Sequence, residues 1–444
     1  MADISWLVLL AGSSLVVIGF AAAQLFDKYR FPDYFILMAL GLLLGSGLLP
    51  LGGVDPREAV GTIAPALRSV ALAFILFEGG LVLHVRGMGK VWGMSIVHTG
   101  VAMALAILGM VLFATSFLGL GLTAAAIIAL AFCGPSASID MSMLSQLKVS
   151  DRTRFTIVME GVMGNVVAAV LVLLLVRVPG ATATMSTWTS YIAYLVAAVN
   201  VAYGVGRVWV HLVGGPQPRR FSFMTSVALA VGLYAIADGL LGGNGWIAAF
   251  VFGLVIGHHG VLKTRKPAHS GAAGERGLQE FHGELVFLLR TFFFLYLGLR
   301  VQVTGITILA VVGALAFIGV FYASRWPSTA ILTKVWRLPT RDSRILHSTV
   351  ARGMTDTVLI LFAIQVGVIP PAEEALVTNL LFLVILVAAL TSALLVFRAE
   401  RLALREPAPS AGKAKASPGG LPRDLDRAMS EFLADPLVQR GEFD

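Results

Sequence analysis

The chain has 444 residues, of which 57% are hydrophobic and 13% charged, and its mean hydropathy is +0.85. So little charge cannot cover the surface of a water-soluble protein of this length, which excludes the soluble globular classes. The net charge of +8 would suggest nucleic acid in a soluble chain, but here Lys and Arg gather in short loops, where they orient membrane helices.

Taken in chain order, apolar runs lie near residues 4–26, 34–50, 62–83, 92–117, 122–147, 154–177, 189–213, 221–241, 244–262, 281–299, 303–324, 345–369 and 375–397. Each has the roughly 20 residues that a bilayer-crossing helix needs, so about 13 spans are predicted. The runs are continuous and do not alternate at period two, which argues against a transmembrane barrel. The first run follows Asp3 with no basic stretch before it and reads as a membrane helix, not a cleaved signal. Basic loops alternate along the chain: Lys28 and Arg30, Arg86 and Lys90, Lys148 to Arg154, Arg219 and Arg220, Lys263 to Arg276, and Lys334 to Arg344. The intervening loops hold little beyond Arg57, Arg177 and Arg300. This pattern puts the N-terminus outside and the C-terminus in the cytoplasm of a multi-pass cell-membrane protein. Residues 1–398 form the transmembrane domain. Residues 399–444 form a cytoplasmic tail, a Pro/Ala/Ser/Gly-rich linker with one short amphipathic helix near its end.

Ionisable side chains inside membrane spans are costly and mark pathways or partners. Counted by helical rise, Glu160 in the sixth span and Arg352 in the twelfth lie about 10 Å from the cytoplasmic end. Asn165 and Asp356 lie about one turn deeper, and Glu78 in the third span comes to the level of Glu160. Two spans are interrupted: the fifth at Cys133-Gly134-Pro135, and the twelfth at Arg352-Gly353, with Thr355 and Asp356 at a comparable depth. Proline removes a backbone donor and glycine weakens a helix, so both spans are expected to break there. Broken helices at corresponding positions of two halves mark ion sites in secondary transporters. The two spans are seven apart, an odd shift, so the halves are expected to form an inverted repeat. A proline kink without a binding role is the simpler alternative for the fifth span.

These segments resemble the monovalent cation/proton antiporter superfamily, and most closely its sodium/proton exchanger branch. The resemblance rests on Phe77-Glu78-Gly-Gly-Leu, Glu160-Gly-Val-Met-Gly-Asn165, Phe292-Phe-Phe-Leu-Tyr-Leu-Gly298-Leu and Ala351-Arg352-Gly353, over approximately residues 1–400. It implies an all-α fold with two crossing discontinuous helices beside the sixth span. It also implies a homodimer in which a core bundle moves against a dimerisation scaffold. Glu160 and Arg352 would form a buried structural ion pair, and Glu78 would stand near the ion path.

Two positions depart from the family. Where the branch carries Asn-Asp in the sixth span, this chain has Gly164-Asn165, and where it carries Thr-Asp-Pro in the fifth, this chain has Cys133-Gly134-Pro135. An amide oxygen can coordinate an ion, but it does not titrate. Asp356 offers a carboxylate that would have moved from the sixth helix to the twelfth. Alternatively it pairs with Arg352 at i,i+4 spacing. Asp140 is a candidate for the inner funnel, or holds a structural hydrogen bond.

The leading functional expectation is exchange of a monovalent cation, sodium or potassium, for protons. An uncoupled cation permease, or a non-transporting sensor on the same fold, is the alternative. No catalytic constellation, phosphate-binding loop or zinc-ligand cluster is recognisable, so neither an enzyme nor a cofactor is expected.

Overall fold

The computed structural model describes residues 12–21, 24, 33–46, 56–82, 89–136, 150–178, 184–213, 222–259 and 272–405. Its described residues contain 14 α-helices and no strand. They are α1 (Gly12–Ala21), α2 (Asp33–Gly45), α3 (Pro56–Val82), α4 (Gly89–Ser116), α5 (Leu122–Ala131), α6 (Asp151–Arg177) and α7 (Met185–Val213), followed by α8 (Ser222–Leu240), α9 (Gly245–His259), α10 (Ala272–Arg300), α11 (Ile308–Val335), α12 (Thr340–Ser348), α13 (Met354–Gln365) and α14 (Pro371–Arg405). Six of them contain stretches long and apolar enough to cross a membrane: α3, α4, α6, α7, α11 and α14. At 10, 9 and 12 residues, α5, α12 and α13 are half-helices.

The helices sort into two bundles by packing. In one, α2 lies on α10, and α3, α7 and α8 surround α9; in the other, α4, α5, α6, α11, α12, α13 and α14 pack together. We refer to them as the scaffold and the core. Shifting the helix number by seven relates α2, α3 and α4 to α9, α10 and α11. Under that exchange the α2–α10 pair maps onto α9–α3, and α4–α11 maps onto itself. An inverted repeat with α7 as the linking helix has this property.

Lipid tails are as apolar as leucine, so close backbone packing must hold such helices together. The scaffold achieves this with glycine. A β-carbon on Gly41 would collide with Leu295 O, and one on Gly298 with Met38 O, so α2 and α10 touch backbone to backbone. Gly80 against Phe250 O, Gly253 against Phe77 O and Gly257 against Leu81 O repeat the arrangement between α3 and α9.

Two differences from the predicted limits of the spans bear on the site. The twelfth, expected near 345–369, is divided into α12 and α13 by the non-helical stretch 349–353. The eleventh, expected to end near 324, continues as α11 through Pro327 to Val335. Hydroxyls that bond back to the preceding turn line this stretch: Ser328 Oγ donates to Arg325 O at 2.8 Å, and Thr329 Oγ1 donates to the same oxygen at 2.9 Å.

Candidate ion site

The break in α5 follows from its sequence. Phe132 N–H still reaches Ile128 O at 2.9 Å, and Cys133 N–H reaches Leu130 O at 3.4 Å. Pro135 then has no N–H to continue the ladder. Cys133 is buried, and its Sγ donates to Leu130 O at 2.9 Å, closing the last turn. Past the break, Ser136 N–H donates to Ala351 O at 2.9 Å. The two unwound segments are therefore joined backbone to backbone, as crossing discontinuous helices.

Each charged side chain at this crossing faces the helix end that suits it. Arg352 Nη1 donates to Gly134 O, just past the C-terminal end of α5, and the guanidinium carbon lies 3.7 Å from the centre of the Phe321 ring. Asp356 stands in the first turn of α13, and its Oδ2 accepts from Gly353 N–H at 3.3 Å. A cation beside free carbonyls and a carboxylate beside free N–H groups both complement the helix dipole. The charges of Arg352 and Asp356 both act on Cys133.

α6 closes the crossing from the side. A β-carbon on Gly134 would lie 3.0 Å from Gly164 Cα, and one on Gly164 would lie 3.0 Å from Gly134 Cα. These two glycines occupy positions where the resembling family carries polar side chains, so both losses fall at one point of contact. Asn165 follows directly and is 5% exposed; Thr355 at 1% and Asp356 at 2% lie on α13, which packs on both α5 and α6. Glu78 approaches from the scaffold on α3: its neighbour Gly79 leaves room for Val166, the residue after Asn165. Asn165, Asp356, Thr355, Cys133 and Gly134 are thus gathered around one crossing, with Glu78 on the adjoining face. Asp140, the expected funnel residue, lies outside the described residues.

The expected Glu160–Arg352 pair is not the one formed. Glu160 pairs with Arg325 of α11, which donates from Nη1 to Oε1 at 2.6 Å and from Nη2 to Oε2 at 2.8 Å. Arg325 Nη2 also donates to Leu346 O at 2.5 Å and Thr349 Oγ1 at 2.7 Å. His98 of α4 stands 3.3 Å from Glu160 Oε2. The cluster ties α4, α6, α11 and the end of α12 together below the crossing. The physical reason for the difference is the conformation of residues 349–353. An extended residue advances about 3.3 Å against about 1.5 Å in a helix, so a depth counted by helical rise placed Arg352 too shallow. It reaches the level of Gly134 and leaves Glu160 to Arg325.

Sequence reasoning missed Arg325 and Arg68. The first was missed because its span was expected near 303–324, which ends one residue before it. The second, 4% exposed on α3, donates from Nη1 to Leu361 O of α13 at 2.6 Å. It carries a hydrogen bond from scaffold to core. Near the far end of α13, two ion pairs also join the bundles: Arg177 Nη2 with Asp238 Oδ1 at 2.9 Å, and Arg300 with Glu374. Asp238 is about one-third exposed and paired.

The family model described as sodium/hydrogen exchanger, transmembrane, matches residues 13–398. Among solved structures, the sodium proton antiporter MjNhaP1 from Methanocaldococcus jannaschii at pH 8 superposes with a TM-score of 0.71 at 14% identity, covering 90% of this chain and 98% of that one. An electron-microscopy map of the same antiporter gives a TM-score of 0.68 at 16% identity, covering 93% and 100%. No curated protein matches by sequence. The family and the fold are those of transporters, not enzymes.

Proposed function

Because the chain belongs to the sodium/hydrogen exchanger family, we propose that it exchanges a monovalent cation, sodium or potassium, for protons, with Asp356 as the carboxylate for which the two compete. One observation carries this reading. Four carboxylates are buried among the described residues: Glu78, Glu160, Asp342 and Asp356. Glu160 is held by the two nitrogens of Arg325, and Asp342 accepts from Ser150 and Thr153 Oγ1 at the start of α6. Asp356 alone of the four stands at the crossing of the unwound segments. Its Oδ2 accepts from Gly353 N–H at 3.3 Å. The amide oxygen of Asn165 and the hydroxyl of Thr355 supply neutral oxygen ligands of the kind a desolvated alkali cation needs. Glu78 adds negative charge on the scaffold side.

In this mechanism a proton and a cation occupy the Asp356 carboxylate in turn, and the core shifts against the scaffold to present the site to either side. Arg352 stays fixed on the Gly134 carbonyl and balances the charge of the Asp356 carboxylate while that carboxylate is empty. The protein sits in the cell membrane with its N-terminus outside, its tail in the cytoplasm, and a homodimer formed through the scaffold.

The competing role for Asp356 is structural, as the residue that caps α13. Asp356→Asn separates the two, since an asparagine amide oxygen can still accept from Gly353 N–H but the amide cannot titrate. In proteoliposomes with an internal pH dye, addition of Na⁺ or K⁺ should move protons in the wild type and not in Asp356→Asn. Wild-type cation flux without proton movement would replace exchange by an uncoupled permease.

A further inference from the structure

At the end of the core opposite the two ion pairs, α11, α12 and α14 enclose a groove of about 690 Å³. Its lining divides by chemistry. One wall is basic and polar: Arg344 and Arg398 are exposed, His347 is half-buried, and Thr340 and Ser343 add hydroxyls. The other wall is apolar and aromatic, with Tyr322, Leu395 and Trp326, the last 75% exposed. His347 meets Tyr322 edge to face at 4.1 Å, where the two walls join. None of the described residues lining the groove is acidic.

We propose that this groove seats an anionic phospholipid, its phosphate on Arg344 and Arg398 and its glycerol and upper acyl chain along Trp326 and Leu395. Three features favour a lipid over a soluble anion. Ala323, Trp326 and Ala330 turn outward on α11, so the apolar wall is continuous with the surface that faces the bilayer. Tryptophan and tyrosine concentrate at the membrane interface, at headgroup level. Basic pockets between membrane helices bind acidic headgroups, and the described lining holds two exposed arginines and no acidic side chain. The seat lies wholly on the core, at the seam where α12 meets α11 and α14. Thr349, which binds Arg325 Nη2, follows α12 directly. A bound lipid would therefore hold α12 against its neighbours and steady the segment that leads to Arg352.

The test is retention of lipid by the detergent-purified full chain, counted by native mass spectrometry after equilibration with phosphatidylglycerol or phosphatidylcholine. The wild type is expected to keep phosphatidylglycerol in preference to phosphatidylcholine. Arg344→Ala and Arg398→Ala should each weaken that retention by about fivefold, the effect of one basic side chain near an anionic headgroup. Arg207→Ala on α7 should leave it unchanged. Both groove arginines are exposed, so both variants should remain folded; Trp326→Ala, which keeps the charges, should weaken retention of both lipids. Equal retention of phosphatidylglycerol by wild type and both arginine variants would overturn the proposal. So would displacement of phosphatidylglycerol by millimolar inorganic phosphate, which would make the groove a soluble-anion site. These readouts do not depend on transport, so the proposal stands or falls separately from the exchange reaction.

Discussion

The two bundles are held together by different physics. In the scaffold, Gly41 and Gly298 on one pair of helices, and Gly80, Gly253 and Gly257 on the other, bring backbones into contact and need no charge. In the core, Glu160, Arg325, His98, Arg352 and Asp356 are all buried, and each of the four contacts described for them joins different segments or caps a helix. A glycine seam is rigid and indifferent to protonation. A set of buried charges arranged around two broken helices can respond to the ion it holds. The division of labour follows: the scaffold is a fixed wall, and the core carries the chemistry.

The comparison breaks first, and with the largest effect, at Arg325. Removing it leaves Glu160 buried beside His98 with its bidentate partner gone, a change that costs about 3–5 kcal/mol. Thermal unfolding in detergent should show Arg325→Ala far less stable than wild type. Arg352→Ala should fall by less, because it removes a contact to a carbonyl and a ring, not to Glu160. The reverse order would restore the Glu160–Arg352 pair. Next come the scaffold glycines. Gly253→Val drives side-chain atoms into the α3 backbone and should cost about 1–3 kcal/mol or more, by the usual penalty of overpacking. Measured in the same way, this loss should not change with pH between 6 and 9, since no titratable group lies in the contact. Gly164→Ala is a smaller change at the crossing itself. Its β-carbon meets Gly134 Cα at 3.0 Å, so it should slow transport more than it lowers stability, read from initial rates against unfolding temperature. Smallest is Asp238→Asn at the partly exposed pair with Arg177. A partly exposed pair contributes about 0–1 kcal/mol, so the unfolding temperature should barely move.

How far the fold could be read from the sequence differs between the bundles. Span existence, the breaks at Gly134-Pro135 and Arg352-Gly353, and the inverted halves all leave local marks: apolar length, a missing donor, a weak helix former. Both breaks are found where those marks put them. Which charges meet across the core leaves no such mark. Arg325 lies one residue past the expected end of its span near 324, yet α11 continues through it to Val335. Arg352 follows three residues of non-helical chain, so a depth counted by helical rise misplaces it. Arg68 reaches a carbonyl of α13 almost 300 positions away, a partner that no pattern around it could announce. Residue types at the site were legible; their pairing needed the backbone path.

The central claim is that the titrating carboxylate of this exchanger stands on α13 and not on α6. The most direct measurement is cation-evoked proton flux in proteoliposomes, wild type beside Asp356→Asn, with both proteins matched for unfolding temperature. The account predicts robust flux in the wild type and at least a ~100-fold loss in the variant, the scale of removing an essential proton-transfer group, at unchanged stability. Near-normal proton flux in Asp356→Asn would contradict it, reducing Asp356 to a helix cap and returning the search for the coupling group to Glu78.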